Sequence, residues 1–262
     1  MSIDLHIDGA VATVKINNPQ ELNALDVDHL RDLVQVFEDL GHRNDVRAIL
    51  LIGEGDRAFV AGANIKRMSV MSNDDALEFG ELGHEVGRAI EAAPQPVIAV
   101  INGFALGGGC EISLACDIRV CSDNAVFAQP EVSLGIPPGW GGTQRLPRVV
   151  GKGIASELIF TGRRVNAEEA YRIGLVNHVY AQDQLLEEAS KLANTIAANS
   201  PMAVRLSKQL IADIENYEYD EGLTREGKAF ANVFETHDQR EGMTAFVEKR
   251  KAVFQDEGES ER

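Results

Sequence analysis

Two carboxylates stand beside glycine-rich backbone in this chain. Glu111 ends the run Asn102-Gly-Phe-Ala-Leu-Gly-Gly-Gly-Cys-Glu111, and Glu131 closes Gln129-Pro-Glu131. Glycines let backbone N–H groups approach a ligand with no Cβ in the way, and a helix start adds partial positive charge. Gly107-Gly-Gly109 opens a predicted helix over 110–115, and Glu111 lies three residues past Gly108. A carbonyl oxygen held at the Gly108 amide would therefore sit within reach of that carboxylate. Two carboxyls flanking an oxyanion pocket are the parts needed to move a proton and a water about a carbonyl compound. Each motif also has a plainer local reading. The glycines could serve tight helix–strand packing, and a glutamate beside proline is usually a solvated turn residue.

Other motifs are weaker. Phe59-Val-Ala-Gly-Ala63-Asn-Ile-Lys66 is a second small-residue loop after a strand and could supply another oxyanion donor. Gly53-Glu-Gly-Asp-Arg-Ala58 fits a dinucleotide fingerprint on paper. No evident helix follows it, and no second strand ends in an acidic residue at the usual distance, so it reads as a glycine turn. The triple glycine has no Gly-Lys-Ser/Thr ending, which argues against a P-loop. The stretch from Val132 to Arg145 is rich in glycine and proline, and long irregular loops tend to carry function. The six histidines form no metal-binding pattern, and no nucleophile elbow is present.

The elements that must hold these residues read as alternating strands and helices. The first seventeen residues alternate in hydropathy around Asp8-Gly9, a hairpin signal. Leu30, Leu33, Val34 and Phe37 recur at helical spacing from Asp26 to Leu40. A strand follows at 47–52, then a helix from Asp74 to Ala93 stopped by Pro94 and Pro96, then a strand at 97–101. This order predicts parallel strands with right-handed crossovers. Past residue 150 the strand signals fade. Asn166-Ala-Glu-Glu169 and Asp238-Gln-Arg-Glu241 read as capping boxes, and Ser200-Pro201 as a helix start. Leu185, Leu186, Ala189, Leu192, Ala193 and Ile196 form an apolar stripe, and the tail from Gln255 to Arg262 is polar and expected to fray. The expected organisation is an α/β core over 1–198 with a helical region over 199–262.

Composition narrows the partners. The chain has 262 residues with a formal charge of −16, which disfavours nucleic acid and anionic membranes as main partners. No apolar run approaches a membrane span. Cys110, Cys116 and Cys121 fit neither a zinc site nor a disulfide framework and read as buried, reduced thiols. The N-terminus resembles neither a secretory signal nor a transit peptide, so the expected location is cytoplasmic.

Taken together and in order, several segments resemble the enoyl-CoA hydratase/isomerase (crotonase) superfamily. They are Ala61-Gly-Ala-Asn-Ile-Lys66, Asn102 to Glu111, Cys116-Asp-Ile-Arg119, Phe127 to Glu131, Gly141-Gly-Thr-Gln-Arg-Leu146, and Glu241 to Lys251. The paired glutamates and the C-terminal stretch make the chain most similar to enoyl-CoA hydratases. The resemblance implies an α/β spiral of ββα units with a helical C-terminal region, assembled as a trimer or a dimer of trimers. It implies an acyl-CoA thioester whose oxygen is held by the amides of Ala63 and Gly108. It also implies coenzyme A contacts from Ala61, Ala63, Asn64, Ile65 and Lys66, with Phe246 and Lys249 reaching a neighbouring subunit's ligand. No separate cofactor and no metal are implied.

The chemistry so implied is syn addition of water to a trans-2-enoyl-CoA, giving a 3-hydroxyacyl-CoA, in fatty acid β-oxidation or a related acyl-CoA pathway. Glu111 would be the base toward water, Glu131 the acid toward C2, and Gly139 would orient the water or Glu131. The alternatives are an enoyl-CoA isomerase, which commonly manages with one carboxylate, or another superfamily enzyme. A non-catalytic or RNA-binding relative is a further class, disfavoured by the negative charge. Two departures from the family pattern stand out. Asn64 replaces the usual aspartate and could alter how its loop is braced, and Trp140 stands where smaller or other apolar residues are common and is expected to narrow the acyl pocket.

Overall fold

The structure, a computed structural model, describes residues 2–255. Of the polar tail, residues 256–262 lie outside the described residues.

The chain opens as the expected hairpin. Strands β1 (Ser2–Asp8) and β2 (Val11–Asn17) pair antiparallel with Asp8 opposite Val11, and Gly9 makes the turn at φ +56°. Helix α1 (Val27–Gly41) starts at Asp26, whose side chain accepts the backbone N–H groups of Asp28 and His29. It buries Leu30, Leu33 and Phe37 of the predicted stripe and adds Leu40, while Val34 is only half-buried.

Three turns of one motif follow. Strand β3 (Ala48–Gly53) leads to β4 (Ala58–Val60), short α2 (Ile65–Met68) and α3 (Asn73–Ala92). Strand β5 (Val97–Ile101) leads to β6 (Phe104–Leu106) and α4 (Gly108–Ala115). Strand β7 (Ile118–Ser122) leads to β8 (Val126–Ala128), a 3-10 turn at Glu131–Leu134, α5 (Gly142–Val150) and α6 (Lys152–Thr161). In each turn the first strand joins a large sheet and the second a small one, which is the spiral of ββα units. The remaining elements are β9 (Val165–Asn166), α7 (Ala167–Arg172), β10 (His178–Tyr180), α8 (Leu185–Ala197), α9 (Pro201–Ala212), α10 (Tyr219–Asn232) and α11 (His237–Glu248).

The large sheet runs β1-β2-β3-β5-β7-β10 and is parallel from β2 onward. Its central strands are buried on both faces, which explains their unbroken apolar runs. One face packs Ile49, Leu51, Val97 and Ala99 into the main core with α1, α3 and α4. The other packs Leu50, Ile52, Ile98 and Val100 against Leu185, Ala189, Ala193 and Ala197 of α8. Each fully buried Leu or Ile contributes about 1.5–3 kcal/mol relative to exposure. The small sheet runs β4-β6-β8-β9, with its first three strands parallel.

Details differ from the sequence reading. Leu186 is exposed, because α8 turns Leu185 and Ala189 inward instead. Helix α11 begins earlier than predicted, capped by Thr236 rather than Asp238, the Thr236 hydroxyl accepting the Gln239 N–H. Asp238 therefore lies inside the helix, and Glu241 pairs with Arg250 rather than closing a box. At α7, the Asn166 side chain accepts the Glu169 N–H as expected, but the Glu169 carboxylate goes to Arg163 and Arg172. The glycine turn at 53–58 leads from β3 straight into strand β4 rather than into a helix.

Candidate active site

The site lies where β4, β6 and β8 end. These strands are parallel, with Phe104 between Ala58 and Val126, Leu106 beside Ala128, and a register shift between Ala58 and Val60. The segments that follow them are therefore neighbours: Ala61 to Asn64, Gly107 with α4, and Gln129 to Glu131. Pairing continues one residue further, as Gly107 donates its N–H to the Ala128 carbonyl at 2.9 Å. A cavity of about 390 Å³ opens there. Ala61, Ala63, Ile65, Gly108, Glu111, Glu131, Gly139 and Trp140 are all in its walls.

The first oxyanion candidate is exposed to the cavity by its neighbours' bonds. Ala61 N–H goes to the Leu22 carbonyl at 3.0 Å, Asn64 N–H to the Leu25 carbonyl at 2.9 Å, and the Gly62 carbonyl accepts from Leu25. Successive amides of extended backbone point to opposite sides. The bridge between Leu25 and Ala63 thus leaves the Ala63 N–H facing away from Leu25. The second candidate, Gly108, is the first residue of α4, where N–H groups have no partner within the helix. The two meet because Gly109 has no side chain. A Cβ there would collide with the Val60 carbonyl, so α4 can begin directly against the end of β4.

Glu111 projects from the first turn of α4 and is 2% exposed. Its Oε1 accepts the backbone N–H groups of Trp140 and Gly142, both at 2.7 Å. Burial pushes its pKa above the usual carboxylate value, and the two amides oppose that shift. Glu131 opens the 3-10 turn after β8 and is 8% exposed, so the solvated-turn reading of this residue is wrong. The glycine-lined path of the chain folds Pro130 and Glu131 inward, against Gly107. Its Oε2 is buried with no protein donor among the described residues. Burial, with repulsion from Glu111 adding to it, pushes its pKa up to about 7.

Trp140 is buried and packs edge-on against Phe79 of α3, with ring centroids 5.2 Å apart. The indole also lies against Gly83 and Gly108. Phe79, Met68, Met71 and Leu134 complete that end of the cavity. The side chain of Asn64 caps α2 through the Arg67 N–H and donates to Glu21 Oε2 at 3.3 Å. Asn64 and Lys66 are outside the cavity walls, and Lys66 is exposed. Phe246 and Lys249, at the end of α11, are exposed and outside the walls as well.

Three supports went unread in the sequence. Asn23, at φ +58°, donates to the carbonyls of Glu54 and Ala58 and accepts from Asn18, so it holds the segment that braces Ala61 to Asn64. An asparagine shortly after Asn-Pro was its signal, since asparagine tolerates left-handed backbone. The Trp140 and Gly142 amides had no side-chain signal at all. Gln129 is fully buried beside Gly142, near Glu111. The three thiols are free and buried, with pKa values pushed up to about 12, so none is a ready nucleophile. Among the described residues no cluster could hold a metal ion, and no helix is long and apolar enough to cross a membrane.

A spiral of ββα units with one cavity lined by two buried carboxyls and by the backbone of Ala63 and Gly108 defines the crotonase class of fold and site. The chain matches the enoyl-CoA hydratase/isomerase family over residues 6–257 and belongs to it. It is 49% identical to a short-chain-enoyl-CoA hydratase of Clostridium acetobutylicum over 95% of this chain and 96% of that one. It is 47% identical to a crotonyl-CoA hydratase of Syntrophomonas wolfei, with 97% of each covered. Among solved structures, an enoyl-CoA hydratase from Bacillus anthracis superposes with a TM-score of 0.96 at 39% identity, covering 98% of this chain and all of that one.

Proposed function

We propose that this protein adds water across the double bond of a trans-2-enoyl-CoA to give a 3-hydroxyacyl-CoA. The observation that carries the reading is the unequal treatment of the two carboxyls. Glu111 accepts two backbone N–H bonds, which favour its ionised form. Glu131 has a buried oxygen with no protein donor, which favours its neutral form. Burial raises the pKa of both carboxyls, and the two amides favour Glu111 as the ionised partner of the pair, which is the division of labour a base and an acid need. The proton is shared within the pair, so titration belongs to both.

The thioester oxygen lies against the N–H groups of Ala63 and Gly108. Glu111 takes a proton from water as the water oxygen bonds to C3. The electrons of the double bond move toward the thioester oxygen, where the two amides stabilise the enolate. Each such donor is worth about 3 kcal/mol of barrier. Glu131 then gives its proton to C2, and proton exchange with solvent restores the pair. Gly139, in the cavity wall, orients the water or Glu131. Trp140 limits the acyl end, which fits relatives named for short-chain and crotonyl substrates.

The wider reading follows from the same assignment. The Lys66 charge beside the cavity mouth, and Phe246 and Lys249 from a neighbouring subunit, contact coenzyme A. The region over 199–262 supports a trimer or a dimer of trimers, for its helices leave Ile211, Ile214, Phe230 and Phe246 exposed. No cofactor beyond the substrate's own coenzyme A is needed, and the enzyme works in the cytoplasm within acyl-CoA metabolism such as β-oxidation.

The test is hydration of crotonyl-CoA, followed by loss of the conjugated thioester's ultraviolet absorbance. Glu111→Gln and Glu131→Gln should each lower kcat by about 10²–10⁴-fold. Near-full activity in either variant would sink the two-carboxylate scheme.

A further inference from the structure

Arg145, in the first turns of α5, is outside the cavity walls, yet its side chain bonds the loop whose N–H groups hold Glu111. Its Nε and Nη2 donate to the two oxygens of Glu91 on α3, at 2.5 and 2.9 Å. Its Nη1 donates to the Trp140 carbonyl at 3.0 Å. That carbonyl lies, in sequence, between the Trp140 and Gly142 N–H groups that bind Glu111 Oε1. We propose that Arg145, braced by Glu91, is a positioning residue that fixes the Gly139–Gly142 loop and thereby aims the Glu111 carboxylate.

Three independent observations converge on this. Gly139, Gly141 and Gly142 leave the four-residue loop with large conformational freedom, so two 2.7 Å bonds from it need an outside anchor. Space for the guanidinium has been cleared on α3, where a Cβ on Gly87 would fall 2.6 Å from Nη2. Stability alone gives a weak reason for the pair, because the Glu91 side chain is 43% exposed and such ion pairs contribute about 0–1 kcal/mol. The planar fork matters more than the charge, since a single lysine ammonium cannot make the same three donations in a fixed plane. Arg145 also lowers the pKa of Glu111 through its charge, the same direction as the two amides it anchors.

The charged surroundings bear on the test. Glu111 faces Glu131 from the turn after β8, Cys110 on its own helix and Arg145 from α5. The guanidinium faces Glu91 and acts on His84 of α3, and burial followed by the charges of Arg88 and Arg145 holds His84 below its usual pKa. Loss of Arg145 should therefore raise the acid limb of kcat/KM, by releasing both amides and removing a positive charge from Glu111.

The inference rests on Glu111 being the base. Crotonyl-CoA hydration is measured for Arg145→Gln, Arg145→Lys, Glu91→Gln, Glu111→Gln and the Arg145→Gln/Glu111→Gln double variant, with melting curves for each. Expected is a kcat loss of about 10–100-fold in Arg145→Gln with KM near wild type, because a misplacement of about 1 Å costs this much. Arg145→Lys should recover little of it, Glu91→Gln should lose less, and the acid limb should move to higher pH. In the double variant the Arg145→Gln loss should vanish to within threefold. The proposal fails if Arg145→Gln keeps kcat within threefold of wild type, if its acid limb stays in place, or if its loss multiplies in full with that of Glu111→Gln. If Glu111→Gln itself keeps its rate, it is the assignment of the base that falls.

Discussion

Trp140 holds Glu111 with its backbone and lines the cavity with its side chain. Its N–H donates to Glu111 Oε1 at 2.7 Å, while its indole packs on Phe79 and closes one end of the cavity. The two roles can be separated, since truncating the side chain leaves the amide in place. Trp140→Ala should retain crotonyl-CoA hydration within about tenfold and gain relative activity on longer enoyl chains, at a stability cost of about 3–5 kcal/mol. A panel of enoyl-CoA lengths read as kcat/KM checks this. An unchanged length profile would show that the indole does not set the acyl limit.

Glu131 should cost the fold stability in return for its chemistry. Its pKa rises from the usual 4.5 to about 7 on folding, chiefly through burial. Below about pH 4.5 the carboxyl is neutral in both states and carries no penalty. As pH rises toward 7 the unfolded chain loses the proton first, so stability falls, and above 7 the full penalty, on the order of 3 kcal/mol, remains. Glu131→Gln should therefore melt higher than wild type at pH 8 and much the same at pH 4, while losing activity. In the wild type, kcat/KM should decline as pH rises past about 7, since the acid must carry its proton. Equal melting shifts at the two pH values would contradict the assignment.

Asn64 has a partner that the family's usual aspartate could not keep. Its amide donates to the Glu21 carboxylate while its carbonyl oxygen caps α2. Asn64→Asp would set two carboxylates side by side next to the Ala63 amide. Exposed like charges repel by only a few tenths of a kcal/mol, so the fold should hold. The loop should loosen, and KM for crotonyl-CoA should rise about two- to fivefold with salt partly restoring it. A salt-independent KM equal to wild type would remove Glu21 from the account.

The strands were readable where burial made their pattern simple. Val97–Ile101 is apolar throughout because both faces of the large sheet are covered, so sequence and structure agree to the residue. The helices α1 and α3 were legible through Asp26, the apolar spacing and the prolines that follow Ala93. Strands β4, β6 and β8 are three residues each, too short for any periodicity, yet their parallel alignment is what assembles the site. Glu111 and Glu131 were visible as residue types beside glycine. The burial of Glu131 was not, because it depends on Gly107 lying against Glu131 and on Gly162 lying against Pro130 in space. The bonds from Trp140 and Gly142 were hidden for a different reason: backbone N–H groups carry no residue identity.

Gly109 offers a test of the approach between the Ala63 and Gly108 amides proposed to hold the thioester oxygen. A Cβ at this position would collide with the Val60 carbonyl, a backbone atom that no rotamer change can move. Gly109→Ala gains about 1 kcal/mol in helix propensity and loses about 1–3 kcal/mol to overpacking. The fold should survive with a modestly lower Tm, the strain being relieved by a shift of the α4 start away from β4. Such a shift separates the Gly108 amide from the Ala63 amide, and the full loss of one donor would cost about 3 kcal/mol. A kcat reduction of about 10–100-fold is expected, larger than any change in KM, because the donors bind the enolate more strongly than the thioester. Binding of a saturated acyl-CoA, which develops no such charge, should weaken far less. Wild-type kcat in a folded Gly109→Ala protein would mean that the contact with Val60 serves packing alone.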